Sequence, residues 1–356
     1  MPPFLQFLFR RLIAVPISLL IITMLLYAGV MLTPPETRAV IYMPAPNTHQ
    51  TEADIARLTK LTIQKYHLRD PYLVQYWYWV KSLFQGTWGY SPTIHENVLP
   101  ALIRRTPATA ELTLYSVLLF IPFGLISGVI AGWRQHRGFD NTFRFMAFVS
   151  TSFPPFILSL AFLSLFYVNL HWFAPGRIAQ EFSFQISGSV FRSFTGLYTF
   201  DALLNGRFDI FVDALRHLAM PVFTLSLFHW ATLGRITRST IIAERHKEYL
   251  VAAQARGLTD RRVIWRHAFI NTLAPSFTSM ALSAASLVTG VFVVEIIYRI
   301  YGVSDVIVRA MQGSPDAPAA LGFCLYSIIL VLIVMFVLDL LQAIFDPRIR
   351  EDLFTS

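Results

Sequence analysis

Charge is scarce in this chain and leans one way: Asp, Glu, Lys and Arg make up 14% of 356 residues, with 29 basic against 21 acidic side chains. A soluble domain carries roughly a quarter charged residues, so a fold whose whole surface meets water is excluded. Cysteine is nearly absent. The single Cys324 rules out an intramolecular disulfide and any cysteine-held zinc or iron–sulfur cluster, and it reads as a packing residue in an apolar helix. Lysine occurs only at Lys60, Lys65, Lys81 and Lys247, and none follows a glycine, so the phosphate-gripping GxxxxGK[ST] loop is missing. HExxH is missing too. What is abundant is apolar: 55% hydrophobic residues, 31 Phe and a mean hydropathy of +0.53. This composition specifies a polytopic membrane protein and excludes disordered and fibrous chains.

Six segments, near residues 11 to 32, 108 to 132, 141 to 169, 218 to 238, 276 to 298 and 319 to 345, are long enough to cross a hydrocarbon core of roughly 30 Å. The first follows Arg10 and Arg11 but lacks a small-x-small cleavage site, and it reads as a retained helix rather than a signal peptide. With the N-terminus inside, Lys and Arg are in excess on the inner stretches and near balance on the longer outer ones. The positive-inside rule therefore puts both termini in the cytoplasm, with the short stretch carrying Arg134, Arg137 and Arg144 as the cleanest witness. Topology accounts for the net +8, so no nucleic-acid partner is needed.

Gly124, Gly128 and Gly132 lie on one face of the second span and predict close helix packing, as do Ser279, Ser283, Ser286 and Gly290 in the fifth. Pro122, Pro154, Pro155 and Pro221 interrupt spans, which lipid tolerates only where protein or cavity water satisfies the freed groups. Two readings stay open, a bundle around a pathway and a rigid kinked bundle without one. Outside, residues 33 to 105 predict short helices, one over Thr51 to Lys65 and another started by Asp70 and Pro71. The cluster Tyr72, Tyr76, Trp77, Tyr78 and Trp79 reads as an interfacial aromatic belt, with a ligand or docking contact as the alternative.

The least lipid-like inner stretch is EYLVAAQARGLTDRRVIWRHAFINTLAP, residues 248 to 275. Glu248 to Arg256 predicts a helix, Gly257 a left-handed cap, Thr259 or Asp260 the cap of a second helix, and Pro275 the return to the membrane. Together they form a knob of helix, glycine turn and helix, with Arg256, Arg261, Arg262 and Arg266, suited to a groove on a soluble partner. A solvated basic loop would explain the arginines but not the small residues.

This stretch resembles the EAA loop of permease subunits of binding-protein-dependent ABC importers, whose pattern E-x(3)-A-A-x-A-x-G falls on Glu248, Ala252, Ala253, Ala255 and Gly257, followed by Leu258. It is most similar to the first permease subunit of the dipeptide/oligopeptide/nickel branch, through YHLRDPYLVQY at 66 to 76, GTWGYS at 86 to 91, RTPATAELTL at 105 to 114, HLAMP at 217 to 221, RITRSTIIAE at 235 to 244, GVFVVEIIY at 290 to 298 and DPRIR at 346 to 350. Two departures stand out. Tyr298 to Val303 replaces the family's Pro-Gly-x-Gly turn, and Thr87 replaces the acid of GDxGxS. The second outer segment, 170 to 217, is also longer than the resemblance leads one to expect.

The resemblance implies an all-α type I importer permease fold with an extracytoplasmic helical insertion. Its parts are a first segment and span at 1–32, the insertion at 33–105, a core at 106–345 with the coupling loop at 244–275, and a cytoplasmic tail at 346–356. It implies a bacterial-type inner membrane, a second homologous permease subunit in a heterodimer, two ABC ATPase subunits that hold ATP and Mg, an external solute-binding protein, and no cofactor or metal on this chain. The solute it implies is a di- or oligopeptide, with nickel complexes and oligosaccharides as alternatives. A secondary transporter would need an inverted repeat that is not evident, and a membrane-embedded enzyme would need a constellation that the scattered histidines do not offer. Within the spans His229 and Glu295 are pathway candidates. His229 reads otherwise as packing, Glu295 as an i,i+4 partner of Arg299, and Asp339 as a structural ion-pair member.

Overall fold

The computed structural model describes residues 3–44, 51–186, 188, 191–312 and 316–345. In chain order, α1 (Pro3–Val30) is followed by α2 (Pro35–Ala39), a single 3-10 turn, α3 (Glu52–Lys65), α4 (Tyr72–Phe84), and strands β1 (Tyr90–Ser91) and β2 (Glu96–Asn97). Then come α5 (Val98–Trp133), α6 (Gly138–Ser152), α7 (Pro155–Phe162), a π-helical continuation to Asn169, α8 (Gln180–Ile186), α9 (Tyr198–Leu204) and α10 (Phe208–Arg245). The chain continues with α11 (Glu248–Ala255), α12 (Asp260–Arg262), a π-helical stretch (Val263–Ala268), α13 (Phe269–Tyr298), α14 (Ser304–Ala310) and α15 (Ala317–Phe345).

Four helices are long and apolar enough to cross a membrane, and up to six crossings result if two bent pairs each count as one. The expected third span is one of these pairs. Its halves, Gly138–Ser152 and Pro155–Asn169, meet at 99°, because Phe153 stands before consecutive prolines and is driven to an extended conformation (φ −107°, ψ 129°). The fifth bends by 47° between Val288 and Gly290. Gly290 therefore marks a bend with nothing near its Cβ position, and the close approach expected of it is not made.

By packing, the chain divides into two units, one built around Ala108–Ile300 and the other from Phe9–Pro107 with Tyr301–Leu332. In the first, α10 is the hub. Its core side chains Leu218, Met220, Val222 and Leu225 pack with Leu112 of α5 and Val291, Val294 and Tyr298 of α13. The glycine stripe of α5 lies against α10: a Cβ on Gly128 would stand 2.6 Å from the Gly234 carbonyl oxygen, and one on Gly132 2.7 Å from that of Arg238. Backbones this close leave no room for any side chain. Gly234 itself is pressed by the Phe143 ring of α6.

In the second unit Tyr72, Tyr76 and Trp79 of the aromatic cluster pack on α1, while Trp77 is exposed. Tyr27 of α1 stacks on Trp79 of α4 at 5.1 Å, the Tyr72 hydroxyl donates to the Met24 carbonyl at 2.6 Å, and Thr23 and Tyr76 share a hydrogen bond. α4 begins after Pro71 without the expected Asp70 cap, since that carboxylate is taken by His67 Nδ1 at 2.7 Å. α3 is closed by a capping box between Thr51 and Asp54. Two short strands depart from helix among the described residues. They are held by Asp316, whose carboxylate accepts from Ser91 Oγ, Thr93 Oγ1 and Thr93 N–H, and also from the Ala319 N–H at the start of α15.

Candidate functional site

α11 carries the residues singled out for partner contact, and its helical period divides them. Leu250 and Ala253 turn inward into a cluster with Val129, Ile241, Val263 and Ala268. Glu248, Val251, Ala252 and Ala255 are exposed. This corrects one expectation: Ala253 is packed in the chain's own core at 8% exposure, so it is not available to a partner's groove. The outward surface is small and apolar at Val251, Ala252 and Ala255, and basic at Arg256, Arg261 and Arg262, all exposed.

The turn after α11 is fully built. Gly257 takes φ +80°, its N–H donates to the Gln254 carbonyl at 2.9 Å, and the Leu258 N–H reaches back to the Ala253 carbonyl at 3.3 Å. These two bonds form a Schellman motif, and Leu258 completes it by packing on the inner cluster. Thr259 occupies the cap position of α12 in extended conformation but makes no side-chain cap bond. The second helix of the knob runs on through the π-helical stretch into α13, so Pro275 lies inside a helix and does not mark a break.

Glu244, at the end of α10, is a residue that sequence reasoning passed over. It is buried, pairs with Lys247 at 2.5 Å, and accepts from the Tyr249 hydroxyl at 2.7 Å. Tyr249 in turn accepts from Asn271 of α13 at 2.8 Å. The root of α11 is thus tied to both long helices.

The intramembrane candidates are covered. The His229 ring lies 5.4 Å from those of Phe120 and Phe228, at 6% exposure. Glu295 is buried and accepts a hydrogen bond from Thr109. The expected i,i+4 pair with Arg299 does not form, because the helix ends at Tyr298 and Arg299 turns left-handed with φ 55°. The side chain of Asp339 lies outside the described residues.

Two ion pairs join distant parts of this unit. Asp140 of α6, fully buried, receives both arms of Arg238 at 2.5 and 2.8 Å and the His136 N–H at 2.9 Å. Glu111 of α5 receives Arg177 at 2.7 Å and both the N–H and the hydroxyl of Thr199, so the long segment between α7 and α10 is anchored on a buried acid. Arg177 also lies 3.8 Å over the Tyr198 ring. Neither pair has a local signature in sequence.

Asp201 organises the rest of that segment. Burial alone would push its carboxyl up, but donors from Thr195, Gly196 and Ser193 outweigh this and hold it below its ordinary value of 3.8. A depressed folded-state value gives stability that is present above the unfolded value and is lost as pH falls through the folded one. Limited proteolysis of this segment is therefore expected to accelerate as pH drops below about 3.8. Asp201→Asn should abolish that step, and an unchanged acid profile in the variant would refute it.

The family described as "Binding-protein-dependent transport system inner membrane component" matches residues 121–351. The chain is 31% identical to the dipeptide transport system permease protein DppB of Alkalihalophilus pseudofirmus, over 80% of this chain and 83% of that one. It is 31% identical to the oligopeptide transport system permease protein AppB of Bacillus subtilis, over 81% and 84%. Over 98% of this chain and 99% of the relative, it is 28% identical to the dipeptide transport system permease protein DppB of Escherichia coli.

Proposed function

Since the chain belongs to the family of binding-protein-dependent transport system inner membrane components, we propose that it forms half of the translocation pathway of an ATP-driven importer of di- or oligopeptides. The relatives named above carry peptide transport in their names. In this reading the fold is a type I importer permease, with both termini cytoplasmic and the helices between α1 and α5 outside. It pairs with a second, homologous permease subunit. ATP and Mg sit on two ATPase subunits, an external binding protein delivers the solute, and this chain holds no cofactor.

The observation that carries the reading is the knob formed by α11, the Gly257 turn and α12, with small apolar and basic residues outward and Leu250 and Ala253 inward. An ATPase can shift a membrane bundle between two states only through contacts that differ between them, and this surface is built to provide such contacts. The test is uptake of labelled peptide into proteoliposomes holding the assembled transporter. Uptake is expected to require ATP inside and binding protein outside, and to survive collapse of ion gradients. The chain alone is expected to hydrolyse no ATP. Uptake that follows an ion gradient without ATP would overturn the proposal. A binding protein that co-purifies with a nickel complex or an oligosaccharide would replace the solute but keep the mechanism.

A further inference from the structure

An open groove of about 660 Å³ lies between α6 and α10, lined by Asn141, Arg144, Phe145, Phe148, Arg235 and Arg238. Its charge is unbalanced. Of the three guanidinium groups, only Arg238 is held in a salt bridge, by the buried Asp140. Arg144 and Arg235 are exposed and form no ion pair among the described residues. Two positive charges therefore remain unneutralised at one opening.

The apolar part of the groove is just as unusual. Phe145 and Phe148 are 66% and 67% exposed, and they stand within one helical turn of Arg144. Two bare phenylalanines beside two bare arginines fit neither water nor hydrocarbon alone. They fit the boundary between the two, where long basic side chains reach toward the polar phase and rings stay in the acyl region. α6 begins directly after the short basic stretch that ends the second span, so the groove opens at that boundary.

We propose that this groove binds an anionic phospholipid, its phosphate held by Arg144 and Arg235 and its acyl chains lying along Phe145 and Phe148. Guanidinium forks suit phosphate oxygens, and basic pockets between membrane helices on the cytoplasmic side are suited to anionic headgroups. A soluble acidic partner would engage the arginines but leave the rings in water. The site rests on the placement of α6 and α10 in the membrane, and the leaflet is the cytoplasmic one in the orientation proposed above. Lipid retention does not depend on that orientation or on the solute.

The test uses the assembled transporter, stripped in detergent and returned to phosphatidylcholine containing a minor fraction of phosphatidylglycerol. Lipid that stays with the purified complex is then quantified by mass spectrometry. The parent is expected to enrich phosphatidylglycerol, and Arg144→Gln with Arg235→Gln to lower that enrichment about tenfold. Arg57→Gln, the same charge change on the exposed face of α3, should leave it unaltered. Excess inorganic phosphate should displace little. If the double variant does not assemble, Arg144→Gln alone should still lower enrichment several-fold, since that side chain makes no hydrogen bond among the described residues. Equal enrichment in parent and variants, or no preference over phosphatidylcholine in the parent, overturns the proposal. Displacement by inorganic phosphate shows a soluble-anion site and overturns the lipid assignment.

Discussion

Ala252→Asp is expected to cut peptide uptake and solute-stimulated ATP hydrolysis by about tenfold or more, because an unpaired charge at a packed interface costs about 2–5 kcal/mol. The chain itself should insert and fold as before, since Ala252 is exposed. Its neighbour gives the opposite signature. Ala253→Asp puts a carboxylate among Leu250, Ile241 and Val263, where an isolated charge is strongly destabilising, so the yield of folded protein should collapse. Gly257→Val acts differently again. Nothing lies within 4 Å of its Cβ position, so the whole effect is the resistance of a β-branched residue to positive φ, about 1–2 kcal/mol. Docking to the ATPase subunits should weaken without loss of expression. The three variants are compared by pull-down, hydrolysis and uptake on the same preparations. If Ala252→Asp and Gly257→Val both dock and transport like the parent, the knob is not the coupling element.

Glu111→Ala should be the most damaging change to the long segment between α7 and α10. Removing this carboxylate strands the part-buried Arg177 and removes the acceptor for both Thr199 donors, and an ion pair broken from one side costs about 3–5 kcal/mol. That segment should detach from α5 and become sensitive to protease between residues 170 and 207, while the long helices keep their helicity by circular dichroism. Glu111→Gln should fall between, because an amide oxygen still accepts from Thr199 but leaves the guanidinium charge unmatched. Protease resistance equal to the parent in both variants would show that the segment is held by other contacts.

Features whose cause is local were legible in the sequence. Four long apolar helices declare themselves by hydropathy, the Gly257 turn by a glycine at the end of an alanine-rich helix, and the glycine stripe of α5 by its spacing. The partner of that stripe was not legible. Gly234 and the Arg238 carbonyl lie about a hundred residues further along, and nothing in a single span says which backbone will approach it. The same holds for Asp140 with Arg238 and Glu111 with Arg177. Each acid is unremarkable in its own segment and is fixed only by tertiary packing. Ala253 could have been placed inward by its spacing of three from Leu250. The alanines were instead read as one set, and the helical period splits them. Asp70 shows a competition that sequence cannot rank, between capping a helix and meeting a histidine three residues earlier.

The root of α11 behaves as a clamped lever. Glu244 holds Lys247 and Tyr249, and Tyr249 reaches Asn271, so the short helix is tied at its root to both α10 and α13. Its inner face is wedged against α5 and α10 through Leu250 and Ala253. In the importer reading proposed above, a push delivered to the outward alanines would be passed to α5, α10 and α13 together rather than absorbed by the loop. In that reading, a stroke from the soluble subunits would enter the bundle through packed helices rather than through a loose loop.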